Sequence, residues 1–251
     1  MSIVQTFYDS LACDYDKLFL NWEEATKEQA TILDKIFSGK GLGKSARVLD
    51  CACGIGTQAI GLASVGYTVT ASDISDDELA EAKKRAEKNN VSIRFEHADF
   101  RNLEDVFSEK FDIIIAMDNA LPHMMTRDAM ASAIKSITDR LSPGGIFVAS
   151  IRDYDRLIEE KPPYSPPYIH ETESGKRVSF QLWSWQGDCY RLTQYILDDG
   201  ASLKADKFDC EYRAVKRDEL TELLTESGCR STEWKFPEET GFYQPVVIAI
   251  K

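Results

Sequence analysis

The chain has 251 residues, 43% of them hydrophobic, and its 42 acidic side chains outweigh 30 basic ones to give a formal net charge of −12. That length allows one large domain, or one domain with a sizeable insertion, and enough chain to bury a core without disulfides or a structural metal. The acidic balance repels nucleic-acid backbones and anionic membrane surfaces, and no dense Lys/Arg cluster offsets it.

The expected partner is therefore a small molecule, with no nucleic acid and no membrane; a homo-oligomer is left open. The opening "MSIVQTFYDS" lacks the layout of a signal peptide and no apolar run approaches ~18 residues, so the expected location is cytoplasmic. The cysteines at 13, 51, 53, 189, 210 and 229 are scattered and expected to be reduced. Cys51-Ala-Cys53 is too close for the usual C-x-x-C pair and reads as two small buried residues. The histidines at 97, 123 and 170 show no ligand spacing, so no metal site is expected.

In chain order, "ARVLDCA" reads as a strand, followed by a glycine loop and a helix to about Ser64. "YTVTASD" is a second strand and "SDDELAEAKKRAEKNN" a helix with a Ser/Asp cap. "SIRFEHAD" and the nearly all-apolar "KFDIIIAMD" are the third and fourth strands, the latter suited to burial on both faces. "RDAMASAIKSITDRL" is an amphipathic helix stopped by "SPGG", and "IFVASIR" is a fifth strand. Alternation of strand and helix predicts a doubly wound, Rossmann-like α/β fold with a mostly parallel sheet.

The proline-rich connector "KPPYSPPY" breaks that pattern. After it, "KRVSFQLWSWQ", "CYRLTQYILDD" and "SLKADKFDCEYRAV" alternate with period two and are joined by "GD" and "DGA" turns. They predict a three-stranded antiparallel insert, serving as a lid or a dimer surface. "KRDELTELLTESG" is one more helix, ended by Gly228, and "TEWKF" and "PVVIAIK" are two closing strands.

The loop in "VLDCACGIGTQAIG" has the spacing Gly54-x-Gly56-x-x-Ala59, which fits a dinucleotide fingerprint. Asp73 lies about twenty residues beyond, where a ribose-binding acid is expected. Yet Asp50, Asp99 and Asp118 also stand at or just past strand ends, and a pyrophosphate would be repelled by so many carboxylates. An acidic rim suits a cofactor with cationic charge, a ribose diol and an exocyclic amine. S-adenosylmethionine has all three.

With those residues in view, the chain resembles the class I S-adenosylmethionine-dependent methyltransferases, through "VLDCACGIGTQAIGLA", "VTASDIS", "FEHADF", "DIIIAMDNALPHM" and "LSPGGIFVAS" in the family's order. The resemblance implies a seven-stranded sheet with an antiparallel last hairpin and S-adenosyl-L-methionine as cofactor, released as S-adenosyl-L-homocysteine. It implies that Gly54 to Gly56 pack against the methionine part, that Asp73 holds the ribose, and that Asp99 and Phe100 bind adenine. The cofactor set expected on this basis is Tyr15, Trp22, Asp50, Ala52, Gly54, Gly56, Thr57, Gln58, Asp73, Ile74, Ala98, Asp99, Phe100, Met117, Asp118 and Asn119.

Within that class the chain looks most like glycine and sarcosine N-methyltransferases, through "NALPHM" and "SIRDYD". The resemblance implies that Asn119, His123 and Arg152 meet the acceptor, with the planar fork of Arg152 clamping its carboxylate. Tyr15 joins these three as an expected catalytic residue, and Tyr154, Tyr168 and Tyr195 as expected substrate contacts, with Trp185 a further pocket wall. "FYDSLACDYDKLFLNW" resembles the group's helical lid and brings Tyr8, Tyr15 and Trp22 near the cofactor. The expected division is a lid over 1–40, a cofactor-binding domain over 41–152 and 216–251, and an insert over 153–215.

The expected reaction is methylation of a small amine bearing a carboxylate, without a nucleophile or an obligatory strong base; His123 orients the amine or accepts its proton. O- or C-methylation of another small molecule, an NAD-dependent oxidoreductase and a non-catalytic cofactor-binding protein stand as alternatives. "SPPY" at 165–168 has the form that amino-methylating DNA enzymes use to grip a flipped base. Its place after the fifth strand, in an acidic chain, favours a rigid loop instead.

Overall fold

The structure, a computed structural model, describes residues 3–173 and 175–251. Helix α1 (Ile3–Leu11) and a 3-10 stretch (Ala12–Leu18) lead into α2 (Trp22–Gly39), whose cap residue Asn21 accepts a hydrogen bond from the Glu24 N–H. The alternating region follows as β1 (Arg47–Asp50), α3 (Thr57–Ser64), β2 (Thr68–Asp73), α4 (Asp76–Lys88), β3 (Arg94–His97), β4 (Phe111–Ala116), α5 (Arg127–Asp139) and β5 (Leu141–Ser150). After α6 (Tyr154–Glu160) come the antiparallel strands β6 (Tyr168–Thr172), β7 (Gly175–Gln186), β8 (Cys189–Asp199) and β9 (Leu203–Arg213). Helix α7 (Arg217–Glu226), β10 (Ser231–Lys235), the short α8 (Pro237–Thr240) and β11 (Val246–Ile250) complete the chain.

Seven strands form one sheet in the order β10-β11-β5-β4-β1-β2-β3, in which β11 alone runs against its neighbours. The centre is apolar because it is covered twice. Ile113 and Ile115 of β4 pack with Leu33 and Phe37 of α2 and Leu62 of α3, whereas Ile114 and Ala116 pack with Ile134 and Ile137 of α5 and Leu223 of α7. Period-two alternation therefore feeds two cores rather than one core and solvent. The second sheet, β6-β7-β8-β9, contributes Tyr190, Leu192 and Tyr212 to the α5 side of that packing.

Several expectations are corrected. The antiparallel sheet has four strands, not three; β6 is a five-residue segment directly after two prolines, too short to declare its period. Helix α6 and the short α8 were not legible in the sequence. "SPGG" does not stop α5, which ends at Asp139; it lies inside β5, where the register on β4 shifts between Phe111 and Ile113. Gly144 there adopts φ +79, and a Cβ on Gly145 would lie 2.9 Å from the Asp112 carbonyl oxygen, so the bulge depends on glycine. "SPPY" is tied to β7: the Ser165 N–H donates to the Gln181 carbonyl and its Oγ accepts from the Gln181 N–H. All six cysteines are free thiols, with Cys51 and Cys53 buried. Among the described residues no helix is long and apolar enough to cross a membrane, and no cluster of potential metal ligands occurs.

Candidate active site

The order of the main sheet reverses between β1 and β4, and the loops leaving these two strands open the crevice in which doubly wound folds bind ligands. After β1 the chain turns through Gly54 (φ +50) and Gly56 (φ +91) into α3. A Cβ at Gly54 would sit 3.0 Å from Glu78 Oε2 and one at Gly56 2.9 Å from Ile60 Cδ1, so both positions need glycine for backbone and for space. Asp73, at the end of β2, clasps this loop: Oδ2 accepts from the Gly54 N–H (2.8 Å) and Oδ1 from the Ser75 N–H (3.0 Å).

A cavity of about 150 Å³ opens above the loop. Tyr15, Ala52, Gly54, Thr57, Gln58, Asp73, Ile74, Ala98, Asp99, Phe100, Met117, Asp118 and His123 all line it. A second, larger cavity of about 1110 Å³ adjoins it and is lined by Asn119, Arg152 and Tyr168; Tyr8, Tyr15 and Asp118 line both.

Other expected residues lie behind the walls. Trp22 is buried under the loop, donating from Nε1 to Thr57 Oγ1 (2.9 Å), with the Arg85 guanidinium over its ring. Asp50 is fully buried beneath the loop and accepts from the Ala52 N–H. Gly56 shapes the turn without facing either cavity. Tyr154 is buried beside the larger cavity, its hydroxyl bonded to that of Tyr190. Tyr195 stacks on Phe180, on the sheet face opposite to Gln181, Trp183 and Gln194, because residues on alternate positions of a strand face opposite ways. Trp185 packs on Tyr190 and donates to the Pro162 carbonyl rather than lining a cavity.

The turn after β4 places Asp118 (φ +55) and Asn119 (φ +70) in the left-handed region, unusual for two successive non-glycine residues. It is held on every side. Asp118 accepts from Tyr243 Oη (2.7 Å) and Gln58 Nε2 (2.7 Å), its N–H donates to Ser150 Oγ, and Asn119 Oδ1 accepts from the Arg152 N–H. His123 follows in the same segment. Its Nδ1–H donates to the Glu211 carbonyl (3.3 Å), which leaves Nε2 to accept from Tyr8 Oη (2.8 Å). Burial depresses its pKa to about 4, so the ring is neutral and holds the α1 tyrosine in place.

Arg152 forms the floor of the larger cavity. Its guanidinium donates to Tyr190 Oη (2.8 Å) and Gln181 Oε1 (3.1 Å) and lies against the rings of Trp183 and Tyr212. Among the described residues it has no carboxylate partner. Gln181, Trp183 and Tyr212 escaped the sequence reading, although their alternation on β7 and β9 put them on one face. Arg101 escaped too; it bonds the Asp99 carboxylate through its own N–H and guanidinium.

The acidic edge carries the opposite imbalance. Burial raises Asp50 to about 8, with Asp73 and Asp118 adding repulsion, and burial also raises Asp73, Asp118 and Glu78. None of the four has a Lys or Arg partner among the described residues. A model of the methyltransferase domain family matches residues 48–145, the stretch that builds this edge. This stretch is a methyltransferase domain, and the chain is similar to the class I S-adenosylmethionine-dependent methyltransferases. A glycine/sarcosine N-methyltransferase from Aphanothece halophytica is 27% identical over 146 residues, which is 58% of this chain and 54% of that protein, so the match spans about half the relative's length. An S-adenosylmethionine-dependent methyltransferase from Clostridium acetobutylicum shares the fold with TM-score 0.75 at 19% identity, covering 97% of each chain. An amino pentose methyltransferase from Micromonospora echinaspora, solved with S-adenosylmethionine bound, gives TM-score 0.72 at 20% identity, covering 92% of this chain and 91% of that one.

The residues fit this family's cofactor. Carboxylates raised by burial and unpaired with any cation are suited to a ligand that brings a sulfonium and an ammonium. Asp73, Ile74, Asp99 and Phe100 would hold its adenosine half, and Ala52, Gly54, Gln58 and Asp118 its amino-acid half.

Proposed function

We propose that the protein methylates the amine nitrogen of a small molecule that also carries a carboxylate, glycine and sarcosine being the smallest candidates. The observation that carries this reading is Arg152. A partly buried guanidinium without an anion is costly, and an acceptor carboxylate supplies the missing charge in the planar, two-pronged geometry that guanidinium favours. The same cation, with exclusion of water, lowers the pKa of a nearby substrate ammonium and so exposes the lone pair that must attack. The cofactor supplies an already activated methyl group; the protein aligns the amine, which is the work of the Asp118–Asn119 turn and of Tyr8 and Tyr15 where the two cavities meet. His123, neutral and bonded at both nitrogens, positions Tyr8 and is no proton acceptor at neutral pH.

The relative from Aphanothece halophytica is named for glycine and sarcosine, which supports the carboxylate. The volume of the larger cavity favours a second reading, an acceptor with a bulkier body, as in the neighbour named for an amino pentose. Formation of S-adenosylhomocysteine across a panel of amino acids and amino sugars, with wild type and Arg152→Ala, separates them. The expected result is turnover of carboxylate-bearing amines whose KM rises at least about a hundredfold in Arg152→Ala, while cofactor affinity stays within about twofold. Turnover confined to amino sugars that lack a carboxylate, or an unchanged KM, overturns the clamp.

A further inference from the structure

Ser75-x-x-Glu78 has the spacing of a capping box, in which the fourth residue returns its carboxylate to the N–H of the first. Only half of the box forms. Ser75 Oγ accepts from the Glu78 N–H (3.1 Å), but the Ser75 N–H is already taken by Asp73 Oδ1 (3.0 Å). Ser75 Oγ also donates to Asp9 Oδ1 (2.6 Å), which fastens α1 over this corner. The Glu78 carboxylate is thereby displaced from its helix and turned into the smaller cavity, whose wall it joins. It is 1% exposed, its Oε1 has no partner, and it leaves just enough room for the Cα of Gly54. Buried carboxylates are rarely left this way, since the group gives up its water for nothing in return.

We propose that Glu78 is a second acceptor for the cofactor's ribose, taking one hydroxyl of the diol while Asp73 takes the other. Asp73 alone cannot serve both hydroxyls well, because each of its oxygens already accepts a backbone N–H. A ribose diol offers two O–H donors, and Glu78, which lines the same cavity as Asp73, offers an unpaired oxygen. The arrangement makes the corner selective for an intact diol: removal of either hydroxyl leaves a buried carboxylate unsatisfied.

Calorimetric titration of S-adenosylhomocysteine and of its 2′-deoxy and 3′-deoxy forms tests this on wild type, Glu78→Gln, Glu78→Met and Asp73→Asn. Wild type should lose about tenfold or more in affinity for each deoxy form. Both Glu78 variants should bind the intact ligand about tenfold more weakly and become indifferent to the loss of one hydroxyl, whereas Asp73→Asn becomes indifferent to the other. Glu78→Met should melt at or above the temperature of the free wild type, because a buried polar group without a partner has been removed. Wild-type affinity in Glu78→Met, or a loss of equal size for all three ligands, overturns the assignment.

Discussion

His123 is a histidine that its surroundings keep uncharged. Its pKa sits at about 4 in the folded chain, against an ordinary value of 6.5, chiefly because burial penalises the imidazolium. Between those values the unfolded chain binds a proton that the folded chain refuses, so the stability due to this residue falls as pH drops through that window and levels off below about 4. The loss over the window is about 3 kcal/mol. Urea denaturation of wild type and His123→Gln at pH 7 and pH 4.5 measures it: the variant should close most of the gap to wild type at the lower pH. An unchanged gap would mean that the ring is charged in the folded state. Tyr8 belongs to the same argument, since the neutral ring is what accepts its hydroxyl proton. Tyr8→Phe should weaken acceptor binding before it alters the cofactor's, as Tyr8 lines both cavities while Asp73, Asp118 and Glu78 are untouched.

Elements are positioned by a few close approaches. Gly61 in α3 is the one that sets a helix against a helix: a Cβ there would lie 2.5 Å from the Thr26 carbonyl oxygen and 2.9 Å from the Ala30 Cβ of α2. Only glycine lets the two helices touch, and α3 is the helix that carries Thr57 and Gln58 to the site. Gly61→Ala must push α2 away or break its packing, at a cost of about 1–3 kcal/mol, where an exposed helical glycine would instead gain from alanine. A fall in the urea midpoint checks this, and a rise would deny the contact. The sequence could not show this approach, because a glycine inside a helix looks the same whether it faces water or a neighbour. The strands β1, β4 and β5 were legible for the opposite reason: their successive residues are buried on both faces, and an unbroken apolar run such as "FDIIIA" has few other uses. The sheet β6-β7-β8-β9 was legible only where its strands are long, and β6 was lost to the prolines beside it.

At the scale of the whole molecule, two charge imbalances lie at the β1–β4 switch point: unpaired carboxylates at the smaller cavity and a guanidinium without a carboxylate partner at the larger one. The aspartates were legible because they close successive strands, and Arg152 because of "SIRDYD". Glu78 was hidden by a capping signature that the structure only half uses, and Gln181, Trp183 and Tyr212 by a sheet whose placement no local pattern encodes. The acidic side has a consequence for pH. Asp50 titrates at about 8 in the folded chain against 3.8 ordinarily, so its protonated form is the one that burial favours. Its contribution to the free protein's stability is complete below about 3.8 and is lost as pH rises through about 8. A cationic ligand acts the other way, since it favours the ionised carboxylates and must displace their protons to bind. S-adenosylmethionine and S-adenosylhomocysteine differ in charge only at sulfur, so the ratio of their affinities isolates that coupling from everything they share. The ratio should turn toward the sulfonium by about tenfold between pH 6 and pH 8, and Asp50→Asn should flatten it. Calorimetry in buffers of different ionisation heat should detect proton release on binding the sulfonium and less on binding its product. A ratio independent of pH in the wild type would show that the carboxylates are already ionised in the free protein, and that burial there is offset by solvent or by backbone N–H groups.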